Sequence, residues 1–110
     1  MRRASVAICA TAAVVASVVL AVSAFAATRT ISIGDNFYSP KSLSVSKGTT
    51  VKWVWKGKSK HNVTVKSGPI TFASKTQSKG SFSKKLAKAG TYRIYCTIHG
   101  TRQSLTIKVR

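Results

Sequence analysis

Short segments of alternating apolar and polar residues, separated by glycines, limit the folds that this chain can adopt. Glycines recur roughly every 9 to 14 residues, at positions 34, 48, 57, 68, 80, 90 and 100. The segments 51–55 and 105–109 both place large apolar residues at every second position, as a strand with one buried face does. Segments of this length and spacing are typical of all-β sandwiches and barrels. We therefore predict an all-β fold of seven to eight strands.

Three segments interrupt the strand pattern. Residues 35–40 are predicted to form a turn, because Pro40 cannot donate a hydrogen bond within a central strand. Residues 70–79 show no alternation and are predicted to be irregular. Residues 84–88 have helix-forming composition, but the segment is too short to hold a helix by itself.

The N-terminus has the pattern of a secretory signal. Arg2 and Arg3 precede an uncharged run over residues 4–27, and Ala24-Phe25-Ala26 is a small-x-small cleavage pattern. We predict a signal peptide over residues 1–26, with an N-terminal signal helix, cleaved after Ala26. The run is also long enough to cross a bilayer as an uncleaved anchor. Either reading predicts a secreted or periplasmic location, in the extracytoplasmic cell envelope.

The remaining segment, residues 27–110, is long enough for one small domain and is strongly basic. It keeps 17 of the 19 Lys and Arg residues, since Arg2 and Arg3 are removed, against the single acid Asp35. One carboxylate excludes glycosidase-type acid and base pairs and disfavours a calcium site. So basic a surface predicts an acidic partner protein, an anionic membrane or a cell-wall polymer. Nucleic acid is not expected, because an exported protein rarely meets it.

Three side chains have the chemistry of a metal site. Cys96 is the only cysteine that remains after cleavage, His99 follows it by three residues, and His61 is the only other histidine. One thiolate and two imidazoles form the trigonal ligand set that suits both Cu(I) and Cu(II). A structural zinc site would need a fourth protein ligand. Copper is therefore favoured, while zinc or no metal remain the alternatives from the residues alone.

A longer series of motifs resembles a known family. The segments are Phe37-x-x-Pro40-x-x-Leu43-x-Val45, Gly48-x-x-Val51-x-Trp53, His61-Asn62-Val63, Gly90-Thr91-Tyr92 and Tyr95-Cys96-x-x-His99. In order and spacing they resemble the plastocyanin/amicyanin branch of the cupredoxins, over roughly residues 30 to 109. The resemblance implies an eight-stranded Greek-key β-sandwich with one copper ion at one end. It also implies that His61, Cys96 and His99 are the equatorial ligands.

The fourth, axial ligand departs from the family pattern. The family usually has a methionine a few residues after the second histidine ligand, but this chain has no methionine after Met1. Gln103 offers a side-chain oxygen, and stellacyanin-like members use glutamine there, so Gln103 is the first candidate. Leu105, which would leave copper with three ligands, is the alternative, and another oxygen is a third option. Glutamine lowers the reduction potential relative to methionine, whereas leucine raises it.

These observations predict an exported, monomeric type 1 (blue) copper protein that carries single electrons and is not an enzyme. Its partner is expected to be an acidic redox protein of the cytochrome or oxidase type. One alternative is a cell-envelope module that stores or delivers copper without turning over electrons. Another is a metal-free structural or adhesion sandwich that binds an anionic polymer. Asn62 is also expected to link the two ligand segments through its amide.

Overall fold

The structure is a computed structural model that describes residues 27–110. It contains eight strands: β1 (Thr28–Gly34), β2 (Phe37–Ser39), β3 (Ser42–Val45), β4 (Thr49–Trp55), β5 (Thr64–Ser67), β6 (Ser81–Leu86), β7 (Gly90–Cys96) and β8 (Gly100–Val109). The predicted signal peptide over residues 1–26 lies outside the described residues. No helix long and apolar enough for a bilayer crossing is present from residue 27 onward.

The strands form two four-stranded mixed sheets. One sheet has the order β2-β1-β4-β6, and the other has the order β3-β8-β7-β5. Two neighbouring pairs are parallel, β1 with β4 and β3 with β8, so their connections cross between the sheets. The prediction of an all-β sandwich with seven to eight strands is confirmed.

The core lies between the sheets and is built from the predicted alternating residues. In β4, Val51, Trp53 and Trp55 are buried while Lys52 points to solvent. The fully buried ring of Trp53 packs against Phe82, with ring centroids 5.8 Å apart. Burying a large apolar side chain stabilises a fold by about 1.5–3 kcal/mol. The alternating apolar residues therefore both indicate a strand in the sequence and supply the apolar burial that stabilises the fold.

The structure corrects two details of the predicted strands. The turn predicted over residues 35–40 is wrong at 37–39, which form the edge strand β2, paired antiparallel with β1. Pro40 follows this strand and does not interrupt it. Residues 84–86, which had helix-forming composition, belong to β6, because pairing with β4 outweighs a weak local preference. The irregular path predicted for residues 70–79 is confirmed, since only isolated bridges occur there.

Two connections at one end of the sandwich bring the predicted ligands together. The first is the segment between β4 and β5, which includes His61, and the second is the turn between β7 and β8. His61 lies outside the named strands, where it forms an isolated bridge with Gln77, and β5 begins only at Thr64. The long segment before β6 therefore supplies the backbone that holds His61 in place.

Candidate metal centre

Three predicted ligands converge on one point. The candidate ligand atoms of His61, Cys96 and His99 all lie within 4.8 Å of one another. His61 and Cys96 are fully buried, whereas His99 is partly exposed. The rings of the two histidines lie with centroids 5.0 Å apart. Residues separated by 35 positions in the chain thus form one compact donor set.

Cys96 and His99 are placed by the tight turn between β7 and β8. Cys96 is the last residue of β7 and pairs with Gly100, the first residue of β8. Gly100 has a φ of +67°, which a glycine adopts without steric cost, so the strand can restart immediately after His99. The turn leaves Nδ1 of His99 3.7 Å from Sγ of Cys96. The three-residue spacing therefore brings the side chains of Cys96 and His99 next to each other.

His61 is held by its backbone and by one nitrogen of its ring. Its N–H and C=O exchange hydrogen bonds with Gln77, and its C=O also accepts one from the indole of Trp55 at 3.0 Å. The ring Nε2 lies 3.0 Å from Oδ1 of Asp35. Since an ionised carboxylate only accepts hydrogen bonds, Nε2–H is the donor. The other nitrogen, Nδ1, is buried and makes no hydrogen bond with any residue from 27 to 110.

Asp35 is a site residue that sequence analysis missed. Its carboxylate also accepts the backbone N–H of Lys58 at 3.0 Å and of Ser59 at 2.9 Å. The hydrogen bond with His61, followed by those from Ser59 and Lys58, holds the pKa of Asp35 well below its usual range. Asp35 therefore stays ionised beside His61. The only signal in the sequence was that the segment has a single acid, which gave no indication of its neighbour.

Asn62 links the two ligand segments, as predicted. Its Oδ1 accepts the backbone N–H of Thr97 at 3.0 Å, and its Nδ2 donates to Oγ1 of Thr97 at 2.7 Å. Thr97 directly follows Cys96, and Asn62 directly follows His61. The backbone C=O of Asn62 accepts a hydrogen bond from the buried hydroxyl of Tyr38. Burial, and then the nearby Cys96, raise the pKa of Tyr38, so its hydroxyl remains a donor.

Gln103 lies at the same site with its orientation fixed. Its side chain is fully buried in β8, and Nε2 donates to the backbone C=O groups of Gly34 and Phe37 at 3.0 and 3.1 Å. With Nε2 committed to these carbonyls, Oε1 faces His99 and lies 2.9 Å from its Nδ1. Leu105, the alternative candidate, is a buried member of the hydrophobic core. The structure thus brings Gln103 into contact with His99, one of the predicted ligands.

The donor set fits copper better than a hard cation. It consists of one sulfur and two imidazoles, and soft thiolate and imidazole ligands are those that copper takes in both oxidation states. The buried Nδ1 of His61 supports a metal at this point, because an unpartnered buried polar atom is costly and needs an explanation. His61, Cys96 and His99 would hold one ion.

Comparisons with known proteins agree with this chemistry. The model of the family described as copper binding proteins, plastocyanin/azurin family, matches residues 26–110. A search of curated protein sequences found no match.

Solved structures with a similar fold include a methionine-to-glutamine mutant of amicyanin with Cu(I). It is 26% identical with a TM-score of 0.68, over 78% of this chain and 90% of that one. The purple cupredoxin of Nitrosopumilus maritimus is 25% identical with a TM-score of 0.66, over 74% of this chain and 99% of that one. A copper-containing nitrite reductase of Thermus scotoductus SA-01 is 24% identical with a TM-score of 0.66, over 76% of this chain. This chain spans only 22% of the reductase, so the likeness concerns the fold of one part of it. The family match over residues 26–110 and the His-Cys-His site together show that this chain belongs to the plastocyanin/azurin family of copper-binding proteins, the cupredoxins.

Proposed function

We propose that this protein carries single electrons by means of one copper ion bound by His61, Cys96 and His99. The observation that carries the proposal is the convergence of their ligand atoms within 4.8 Å, with two of the three side chains buried. A bound copper ion would supply the one-electron couple between Cu(I) and Cu(II). The surrounding residues of the chain hold these three side chains in place.

The ligands are held before any metal binds, which favours electron transfer. His61 is fixed through its backbone by Gln77 and Trp55, and Asn62 joins its segment to the residue after Cys96. Since groups fixed by packing and hydrogen bonds change little between oxidation states, little reorganisation would accompany gain or loss of an electron. A rigid site of this kind supports a carrier more than a module that must release its metal.

We propose Gln103 as the axial ligand through Oε1. The support is its complete burial and the two hydrogen bonds that commit Nε2 to Gly34 and Phe37. Only Oε1 is left to face the site, where it lies next to His99. Leu105 offers no donor atom. An amide oxygen is a harder ligand than a thioether, so this assignment favours Cu(II) and a low reduction potential.

The electron would enter and leave through His99. Among His61, Cys96, His99 and Gln103, only His99 reaches the surface. Ile98 beside it is 52% exposed, which places an apolar side chain next to His99 at the surface. Because the other three side chains are closed off from solvent, we propose a carrier and not an enzyme that binds substrate at the metal.

An acidic partner protein fits the surface near the site. A cleft of about 170 Å³ is lined by Lys66, Arg93 and Tyr95 together with neighbouring hydroxyl groups of β8. Tyr95 directly precedes Cys96, and Nζ of Lys66 lies 5.9 Å from the centre of its ring. Two cations beside the ligand strand would attract carboxylates of a cytochrome or oxidase. We propose that the encounter takes place in the cell envelope, where the predicted signal peptide would direct the protein.

The test is to add Cu(II) to the purified protein and record its visible spectrum. We expect an intense band from thiolate-to-copper charge transfer, and we expect Cys96→Ser to abolish it. The loaded protein should then exchange electrons repeatedly with ascorbate and hexacyanoferrate(III), with one electron per chain and no loss of copper. A missing band contradicts the copper site, whereas rapid loss of Cu(I) to a soluble chelator without electron cycling would favour the delivery alternative.

A further inference from the structure

The one acidic side chain of residues 27–110, Asp35, contacts His61, a predicted metal ligand. Asp35 shares this segment with 17 Lys and Arg residues. Nevertheless, the single side-chain contact at ion-pair distance within the described part of the chain joins Asp35 Oδ1 to His61 Nε2, at 3.0 Å. With so many cations available, a carboxylate placed only for general stability would pair with one of them. Its position beside the fully buried ring of His61 points to the metal centre.

The surrounding loops are shaped to accept this carboxylate. Asp35 lies between β1 and β2, and the segment after β4 wraps around it with the N–H groups of Lys58 and Ser59. Gly57 permits this approach, because a Cβ at that position would lie 2.3 Å from Oδ1 of Asp35. The N–H of Gly57 in turn donates to the C=O of Ile33 at 3.2 Å. The carboxylate is thus held by two backbone N–H groups in addition to its contact with His61.

We propose that Asp35 is a positioning residue for the metal centre: it holds Nε2–H of His61, turns Nδ1 toward the site, and supplies negative charge that favours the oxidised ion. A carboxylate that accepts a hydrogen bond from a ligating imidazole fixes the orientation of the ring and makes it a stronger donor. The buried, unpartnered Nδ1 is the atom that this orientation presents. The part of the inference that concerns copper rests on the proposed function, whereas the orientation of His61 does not.

The first test needs no metal. In the metal-free protein, the Nε2–H proton of His61 should give a slowly exchanging, far-downfield nuclear magnetic resonance signal. Asp35→Ala should lose this signal, because the proton then exchanges with water. Asp35→Asn keeps an amide oxygen as acceptor and should keep the signal at a less downfield position. A signal unchanged in Asp35→Ala would overturn the assigned contact.

The second test uses the copper-loaded protein. Loss of a residue that supports a metal ligand typically costs about 10- to 100-fold in metal affinity, and we expect such a loss in Cu(II) affinity for Asp35→Ala. If Cu(II) affinity falls tenfold more than Cu(I) affinity, the reduction potential rises by about 59 mV. Asp35→Asn should raise the potential in the same direction, since it removes the charge and keeps the shape. Should Asp35→Ala fail to fold by circular dichroism, the isosteric Asn variant still carries the test.

The matched control is Ile98→Lys, which makes the same change in net charge beside His99 and leaves Asp35 in place. We expect this variant to raise the potential by less than half of the Asp35→Asn shift. Equal shifts in the two variants would show a general charge effect and overturn the proposal, as would unchanged Cu(II) affinity and potential in Asp35→Ala. A wild-type protein that binds no copper would refute the proposed function, yet the metal-free signal of His61 would still decide the contact.

Discussion

Removing the amide of Asn62 should weaken the connection between the segment that contains His61 and the turn that follows Cys96. The side chain is 4% exposed and makes four hydrogen bonds, two with Thr97, one with Thr76 and one with Thr64. Asn62→Ala deletes all four. The segment that holds His61 would then be tied to the turn after Cys96 only by packing.

The expected loss of stability follows from these contacts. A hydrogen bond contributes about 0.5–1.5 kcal/mol net, and less where water can replace the partner. Thr76 and Thr97 are exposed, so their hydroxyls regain water, while the partly buried Thr64 does so less completely. We therefore expect Asn62→Ala to lower the free energy of unfolding by about 2–4 kcal/mol. For a domain of this size, each kcal/mol lowers the melting temperature by about 4–8 °C.

Urea denaturation of the metal-free protein, followed by the fluorescence of the buried Trp53 and Trp55, measures this loss. Comparison is valid if the dependence of the free energy on urea is unchanged by the substitution. Thr76→Val is the matched control, because it removes one of the four bonds and should cost about 1 kcal/mol or less. If Asn62→Ala lowers the free energy of unfolding no more than Thr76→Val does, Asn62 does not connect the two segments as proposed.

Two further predictions concern the potential and the partner. Gln103→Leu should raise the reduction potential by more than about 59 mV, the equivalent of a tenfold change in the relative affinities for Cu(II) and Cu(I); voltammetry that shows no rise would exclude Gln103 as a ligand. The pair Lys66→Glu and Arg93→Glu should slow oxidation of the reduced protein by hexacyanoferrate(III) about tenfold at low salt. The pair Lys52→Glu and Lys85→Glu in the opposite sheet makes the same change in charge, and stopped-flow rates that fall equally in both pairs would contradict a role for the cleft.

Much of this fold was readable from the sequence because strand signals are local. Alternation in β4 and β8 reports directly which side chains are buried, and β7 shows the same alternation, with Cys96 on its buried face. The three residues that could hold copper were also recognisable in the sequence, because thiolate and imidazole are scarce in this chain and their chemistry is specific. Even the link through Asn62 followed from its position beside a ligand.

The contact between Asp35 and His61 could not be predicted from the sequence, because it depends on how the strands pair. Alternation gives the buried face of a strand but not its neighbour. β1 pairs in parallel with β4, with Ile33 opposite Trp55, so the turn after β1 meets the loop after β4. This long-range pairing places Asp35 against His61 although 26 residues separate them. The short edge strand β2 escaped prediction for a related reason, since its stability depends on β1 more than on its own three residues.

The turn after β1 serves the site twice, which explains why the centre depends on both sheets. Asp35 holds His61, while the carbonyls of Gly34 and Phe37 hold Gln103. The ring of Phe37 packs over Gly34, in the space that a Cβ at that position would occupy. Cys96, His99 and Gln103 all come from the β7–β8 hairpin, in the other sheet. Because one turn in the first sheet orients both the His61 and the Gln103 side chains, the geometry offered to copper is set where the two sheets meet.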